Sequence, residues 1–326
     1  MGNHLGFLKI AFFIFSSLLF VDCTPYKTTS STDSEEESVS ILWEEEDQIR
    51  EETTSSCTII DGEVYRMYIG TRDHGMVKTW TSSDGLTWDE DELESTGIEH
   101  GDETNPERHT VRNPAVIKLS EENYIMIFEG NTDAEEGELS GDPSLFRATS
   151  TDGVTFSDIV QVLTPDEDEN NWMSVADLVE FDSKLYLYYV ADFTKVFYAT
   201  SEDDGETWTK GGEISISGSG IDTSTDKIVD PDVIVNPDGT LTLFFAYALE
   251  GELHFGTKGI YSADSSDGVT FTANGQVIST EEDEAKLDPD VIELIDNEGH
   301  YRMYFGYKSD TSDNDADFNL YSATSP

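Results

Sequence analysis

Four Asp-Gly turns, each set between β-prone runs, constrain this chain more than any other feature: TSSDGLTW (81–88), TSTDGVTF (149–156), TSEDDGETW (200–208) and SSDGVTF (265–271). Asp-Gly accepts the positive φ angles of a tight hairpin, and the Thr-aromatic pair that follows starts the returning strand. Ahead of each hairpin stands an aromatic-rich run: YRMYIG from Tyr65, YIMIFEG from Tyr124, LYLYYVAD from Leu185 and LTLFFAY from Leu241, with a fifth, YRMYFGY, from Tyr301. One turn earlier comes a short apolar run: CTII, PAVIKL, VADLVEF, PDVIVN or PDVIEL. The order strand, turn, strand, strand, Asp-Gly turn, strand therefore repeats as stacked supersecondary units. Runs such as VIV and YLYY are apolar on both faces, as expected of sheets sandwiched between sheets. Five four-stranded antiparallel sheets around an axis make an all-β, five-bladed β-propeller. The fifth unit stops at FNLYSATSP, short of its fourth strand. An unpaired edge is a liability, so residues 39–43 (VSILW) are expected to supply that strand and close the ring.

The ends and the charge bound the function. An apolar run over residues 10–21 follows His4 and Lys9; it is short for a bilayer span and the right length for a signal-peptide core. With Cys23 directly after it, residues 1–23 read as a lipoprotein-like signal, with Cys23 the lipidation site. Asp22 stands where such signals carry a small residue. Residues 24–38, rich in Ser, Thr and Glu, are expected to be a disordered tether, and residues 39–326 the propeller. The protein is thus expected to be exported and lipid-anchored, touching membrane only through the lipid. Cys57 is then a lone thiol, or the disulfide partner of Cys23 if that residue is unmodified. The 69 acidic residues against 18 Lys plus Arg give a net charge of −51, which excludes nucleic acid as a partner because nothing neutralises phosphates.

The DP-x-V-I inner strand, the YxMYF-type second strand and the S-x-DG-x-T-W/F hairpin together resemble the five-bladed superfamily of arabinanases, β-xylosidases, invertases and related glycoside hydrolases. The resemblance spans about residues 39–326 and implies a carbohydrate partner at the channel mouth. The Asp-Gly turns are also similar to sialidase Asp boxes, with full spacing only in SEDDGETW from Ser201; a sialidase-like protein is a third reading behind the hydrolase and a non-catalytic binding propeller.

Glycoside hydrolysis needs two carboxyl groups across the scissile bond. Innermost strands begin at the channel mouth, which makes Asp177, Asp230 and Asp288 the candidate catalytic carboxyls and Glu129 the candidate general acid. Asp232 and Asp290 are candidates for substrate contact or for turn caps. Two departures count against catalysis. Aligning YRMYIG with YRMYFGY puts residues 53–55 where the resembled enzymes carry a first-blade Asp, and Asn113 in VRNP replaces the acid of their Arg-Asp-Pro. Arg112, with His109, is positioned to clamp an anionic sugar or to balance nearby acids, and Trp172 offers a stacking platform. DNDADFN (313–319) spaces Asp313, Asp315 and Asp317 as calcium loops do, without their Gly and Glu; it reads as a solvated acidic loop ahead of a Ca²⁺ site. No other cofactor is expected.

Overall fold

The computed structural model describes residues 42–53, 55–71, 75–100, 110–131, 143–248, 259–311 and 318–326. The expectations placed on the signal segment, Cys23, the tether, His109 and the 313–317 carboxylates lie outside the described residues.

Five antiparallel sheets of the expected order are present. Blade I comprises Ser56–Asp61, Val64–Gly70, Met76–Ser82 and Glu94–Glu99, and blade II comprises Val111–Ser120, Asn123–Asn131, Pro143–Ser150 and Ser157–Leu163. Blade III is Met173–Phe181, Lys184–Ala191, Lys195–Ser201 and Thr209–Glu213. Blade IV is Lys227–Val235, Leu241–Ala248, Gly259–Ser265 and Thr270–Ser279, with the short strand Ser215–Ser217 added parallel to its outer edge. Blade V contributes Ala285–Glu293, Tyr301–Lys308 and Asn319–Thr324.

The two-faced apolar runs do what their pattern requires. In Lys184–Ala191, Leu185, Leu187 and Tyr189 pack with Ile125 and Ile127 of blade II. Tyr188, on the opposite face, packs with Leu241 and Phe245 of blade IV. Each blade is thus core for both neighbours, which is why the strands lack a polar face.

The Asp-Gly hairpins fasten blades together. In the first, the Ser82 hydroxyl donates to Asp84 Oδ1 (2.9 Å) and accepts from the Gly85 N–H (2.9 Å), while Asp84 Oδ1 accepts the N–H groups of Leu86 and Thr87 at 2.8 and 2.7 Å. The Gly carbonyls then accept tyrosine hydroxyls from the next blade: Tyr304 to Gly85 (2.7 Å), Tyr68 to Gly153 (2.7 Å) and Tyr188 to Gly268 (2.8 Å). Gly85 is held at φ +70°, where an added Cβ would meet Arg302 and the Tyr304 hydroxyl within 3 Å, so only glycine fits. The boxes are inter-blade latches on the sheets' outer turns.

The ring closes through an N-terminal strand, displaced from the expected one. Glu44–Arg50 pairs antiparallel with Asn319–Thr324 and completes blade V. Trp43, by contrast, donates its N–H to the Val277 carbonyl (2.9 Å) and sets its ring edge-on to Phe244 at 5.6 Å, both on blade IV. An outermost strand has only one face to bury, so the acidic EEEDQIR serves. Glu45 receives the Lys286 ammonium (2.6 Å), and Glu46 receives the Arg302 guanidinium (3.2 Å) and the Ser322 hydroxyl (2.8 Å).

Candidate functional site

The repeated DPDVI is a β-bulge. Strand registers show one extra residue on the inner strand of four blades: between Arg112 and Ala115, Ser174 and Ala176, Val229 and Asp232, and Leu287 and Asp290. The extra residue adopts positive φ at Asn113 (50°), Val175 (36°), Asp230 (55°) and Asp288 (50°). Asn and Asp tolerate this region; β-branched Val does not, and Val175 is held there under strain. Proline follows at 114, 231 and 289, where the ladder needs no donor. Blade I runs in unbroken register, with Ser56 opposite Ile69 and Cys57 opposite Tyr68. A bulge re-aims the side chain at its apex, and here four apices turn toward one channel mouth.

Two layers result. At the rim stand Ser55, Asn113, Val175, Asp230 and Asp288. Beneath it, Cys57, Ala115, Asp177, Asp232 and Asp290 lie opposite Tyr68, Ile127, Tyr188, Phe244 and Tyr304 in their respective blades. Asp177 therefore corresponds to Asp232 and Asp290, one layer below Asp230 and Asp288, and Val175 holds its blade's rim position. The rim and the upper part of the second layer line a narrow cavity of about 30 Å³, room for one or two waters and far below the roughly 300–1,000 Å³ of small-molecule sites.

The second layer is a crowded set of acids. Burial, opposed by the N–H groups of Val233 (2.8 Å) and Leu178, pushes the Asp177 carboxyl up to about 7, with the charge of Asp290 adding to the rise. Asp232 is raised well above the carboxylate range by burial and by the charges of Asp177 and Asp290. Asp290 is raised by burial even though Ser56 and Thr58 donate three hydrogen bonds to it, at 2.6–2.9 Å. Cys57, a free thiol, is also driven up, by burial and then by Asp290 and Asp177; its Sγ meets the Val116 amide at 3.1 Å. At the rim, Asp230 is raised by burial and by the neighbouring charge of Asp288, whose backbone N–H partly offsets the rise. Two adjacent carboxyls that cannot both ionise freely can serve as acid and base.

The remaining candidates form a separate network. Glu129 is fully buried. It accepts from Arg112 through Nε (2.7 Å) and Nη2, from Asn113 Nδ2 (3.0 Å) and from the Ser174 hydroxyl. Asn113 Oδ1 in turn accepts the Ser55 hydroxyl at 2.9 Å. Glu129 thus faces its own blade's cation and does not line the pocket itself, touching it only through Asn113; Arg112 is paired with Glu129 through Nε and Nη2. Trp172 stacks on Phe193, with centroids 4.3 Å apart and planes at 23°, and neither ring lines the pocket. Ser55, Ser56 and Ser174 carry no motif of their own; only their spacing from the bulge residues could have marked them. Among the described residues, no group of three or more His, Cys, Asp or Glu is arranged to hold a metal ion.

No protein-family model matches this sequence, and no curated protein matches it. Solved structures do. A thermostable family-43 glycoside hydrolase superposes with a TM-score of 0.63 at 14% identity, over 84% of this chain and 88% of the other. The endo-arabinase of Bacteroides thetaiotaomicron VPI-5482 gives 0.59 at 12% identity, over 84% and 94%. The fold is shared with family-43 glycoside hydrolases. It is also shared with an N-acetylgalactosamine deacetylase from F. plautii, solved with blood group B trisaccharide, at a TM-score of 0.60 and 16% identity over 87% and 93% of the two chains. At such identities the likeness concerns architecture, and one architecture hosts different reactions. The blade I rim position, where the hydrolase resemblance calls for an Asp, is Ser55.

Proposed function

We propose that the protein is an exported carbohydrate-active propeller that engages a sugar at the channel mouth. The observation that carries this reading is the convergence of four bulge apices, with Asp230, Asp288 and Asn113 among them, on one small cavity at the channel mouth. The architecture shared with glycoside hydrolases supports it. Export and lipid anchoring rest on the 10–21 apolar run and Cys23; replacing Cys23 by Ser is expected to move the protein from the membrane fraction to the soluble one.

A second reading, hydrolysis, is favoured by the Asp230 and Asp288 pair. With Ser55 in blade I and Val175 in blade III, the reacting carboxyls come from blades IV and V, Asp230 as proton donor and Asp288 as base or nucleophile. The test is a panel of pentosides, fructosides, hexosides and hexosaminides, scored for both binding and bond cleavage. Cleavage abolished by Asp230→Asn and by Asp288→Asn supports hydrolysis. Binding without cleavage leaves a lectin-like propeller. No binding to any member, by a protein shown to be folded, defeats both readings.

A further inference from the structure

Beneath the rim, one hydrogen bond recurs from blade to blade. The innermost strand is the edge of its sheet, so alternate N–H groups face the channel without a ladder partner, and a buried donor left unpaired is costly. In four blades the side chain at the second-layer position accepts the N–H of the residue just after the same position in the next blade. Cys57 Sγ of blade I takes the Val116 N–H of blade II (3.1 Å), and Asp177 Oδ2 of blade III takes that of Val233 in blade IV (2.8 Å). Asp232 Oδ2 of blade IV takes the Val291 N–H of blade V (3.2 Å), and Asp290 Oδ1 of blade V takes that of Thr58 in blade I (2.9 Å). The junction of blades II and III lacks the bond, because Ala115 has no acceptor; there Glu129 of blade II takes the Ser174 hydroxyl of blade III instead. The second layer is therefore a girdle of inter-blade clasps around the axis.

We infer that this girdle is a pH-sensitive clasp, which holds the blades shut around the axis while its carboxyls keep their protons and eases as they lose them. Ionisation strengthens each N–H bond but sets like charges side by side away from water, and the second effect wins. Burial carries the Asp177 carboxyl up to about 7 against two N–H donors, and raises Asp290 against three donors. The groups around the layer leave that balance in place. Asp230 and Asp288, two residues above Asp232 and Asp290, are further acids. On the lower side, Lys118 is already paired with Asp61 (3.1 Å) and Glu121 (3.0 Å), and Glu293 is one more acid. Tyr68, Tyr188 and Tyr304, opposite the layer on the second strands, are pushed by burial toward the neutral form. An acid that holds its proton more tightly in the closed ring than in an opened one makes the ring firmest at low pH, and the closed-to-open ratio falls by up to about tenfold per pH unit while that acid titrates. For Asp177 the window runs from 3.8 to about 7. Asp177 and Asp232 line both the mouth cavity and a wider space of about 350 Å³ beneath it, so easing the girdle joins the two. The inference is independent of any sugar at the mouth.

Cys57 reports on the girdle from within it. Its reaction with 4,4′-dithiodipyridine, followed at each pH on the folded protein and on the same protein in urea, gives a protection ratio that tracks opening of the ring. The ratio is expected to fall about tenfold or more between pH 5 and pH 7 in the parent, and by about threefold or less in Asp177→Asn, whose amide still accepts the Val233 N–H. If the variant does not fold, hydrogen exchange by NMR on the unmodified protein gives a second readout. Corrected for intrinsic rates, the Thr58, Val116, Val233 and Val291 amides are expected to lose protection together over the same pH range, while ladder amides inside a blade, such as Leu187, keep theirs. A ratio that does not change with pH overturns the inference. So does an equal fall in parent and Asp177→Asn, which assigns the effect to the overall negative charge, and so does an equal loss at clasp and ladder amides, which assigns it to unfolding of the whole ring.

Discussion

Replacing Asp177 by Asn removes one acid from the crowded second layer, and the consequence for stability has a definite sign. The folded carboxyl holds its proton up to about pH 7, against 3.8 for an ordinary aspartate. Between these values the folded chain binds more protons than the unfolded chain, so this group makes stability fall as pH rises from about 4 to 7 and level off above. Its full cost at alkaline pH follows from a shift of 7 − 3.8 ≈ 3 pH units, or roughly 4 kcal/mol at about 1.4 kcal/mol per unit. Asn escapes that cost. Its Oδ1 can accept the Val233 N–H as Asp177 Oδ2 does at 2.8 Å, and its Nδ2 can donate to the neighbouring Asp232 or Asp290 carboxyl. The advantage of Asn over Asp should therefore grow by about 3 kcal/mol between pH 5 and pH 8, two units of the titration plus its tail. Urea unfolding of both proteins at the two pH values measures it. The repulsion from the overall charge of −51 is nearly common to both and drops out of the comparison. An Asn variant less stable than the parent at pH 8, or an advantage equal at pH 5 and pH 8, refutes the reasoning.

Glu129→Ala strands the Arg112 guanidinium and should cost about 3–5 kcal/mol in chemical denaturation; a loss below about 1 kcal/mol means the pair is not the anchor described. Tyr188→Phe deletes one latch to Gly268 and should cost about 1 kcal/mol, read the same way, with no change in sugar binding. Removing residues 1–50 should lower Tm and promote self-association relative to removing residues 1–41, because the Asn319–Thr324 edge loses its partner and Lys286 and Arg302 lose Glu45 and Glu46; equal Tm values contradict ring closure by Glu44–Arg50. Burial and the charges of Asp290 and Asp177 keep the Cys57 thiol protonated, so iodoacetamide labelling of its peptide at pH 8 should be far slower in native than in urea-unfolded protein. Equal rates argue against the raised thiol.

Blade number, strand order and the hairpins were legible in the chain because their causes are local. Asp-Gly supplies the turn φ, alternate side chains face opposite sheets, and a two-faced apolar run such as YLYY has no stable place except between sheets. The repeated DPDVI marked the channel mouth for the same reason, since Asp at positive φ followed by Pro is a short-range preference. What each aspartate faces was not local. A single bulge residue sets Asp230 at the rim and Asp232 beneath it, and Asp177 joins the lower layer because the blade III bulge falls on Val175, a residue no propensity places at φ 36°. The partners of Glu129, namely Arg112, Asn113 and Ser174 from two blades, were likewise invisible along the chain. The closing strand was misplaced by a few residues because hydrophobicity favoured VSILW, whereas the open edge of blade V offered Lys286 and Arg302 to an acidic partner. Sequence set the units and their chemistry; the packing of blades around an axis decided which carboxyls crowd, which are paired with a cation and which line the channel mouth, because those energies depend on neighbours distant along the chain.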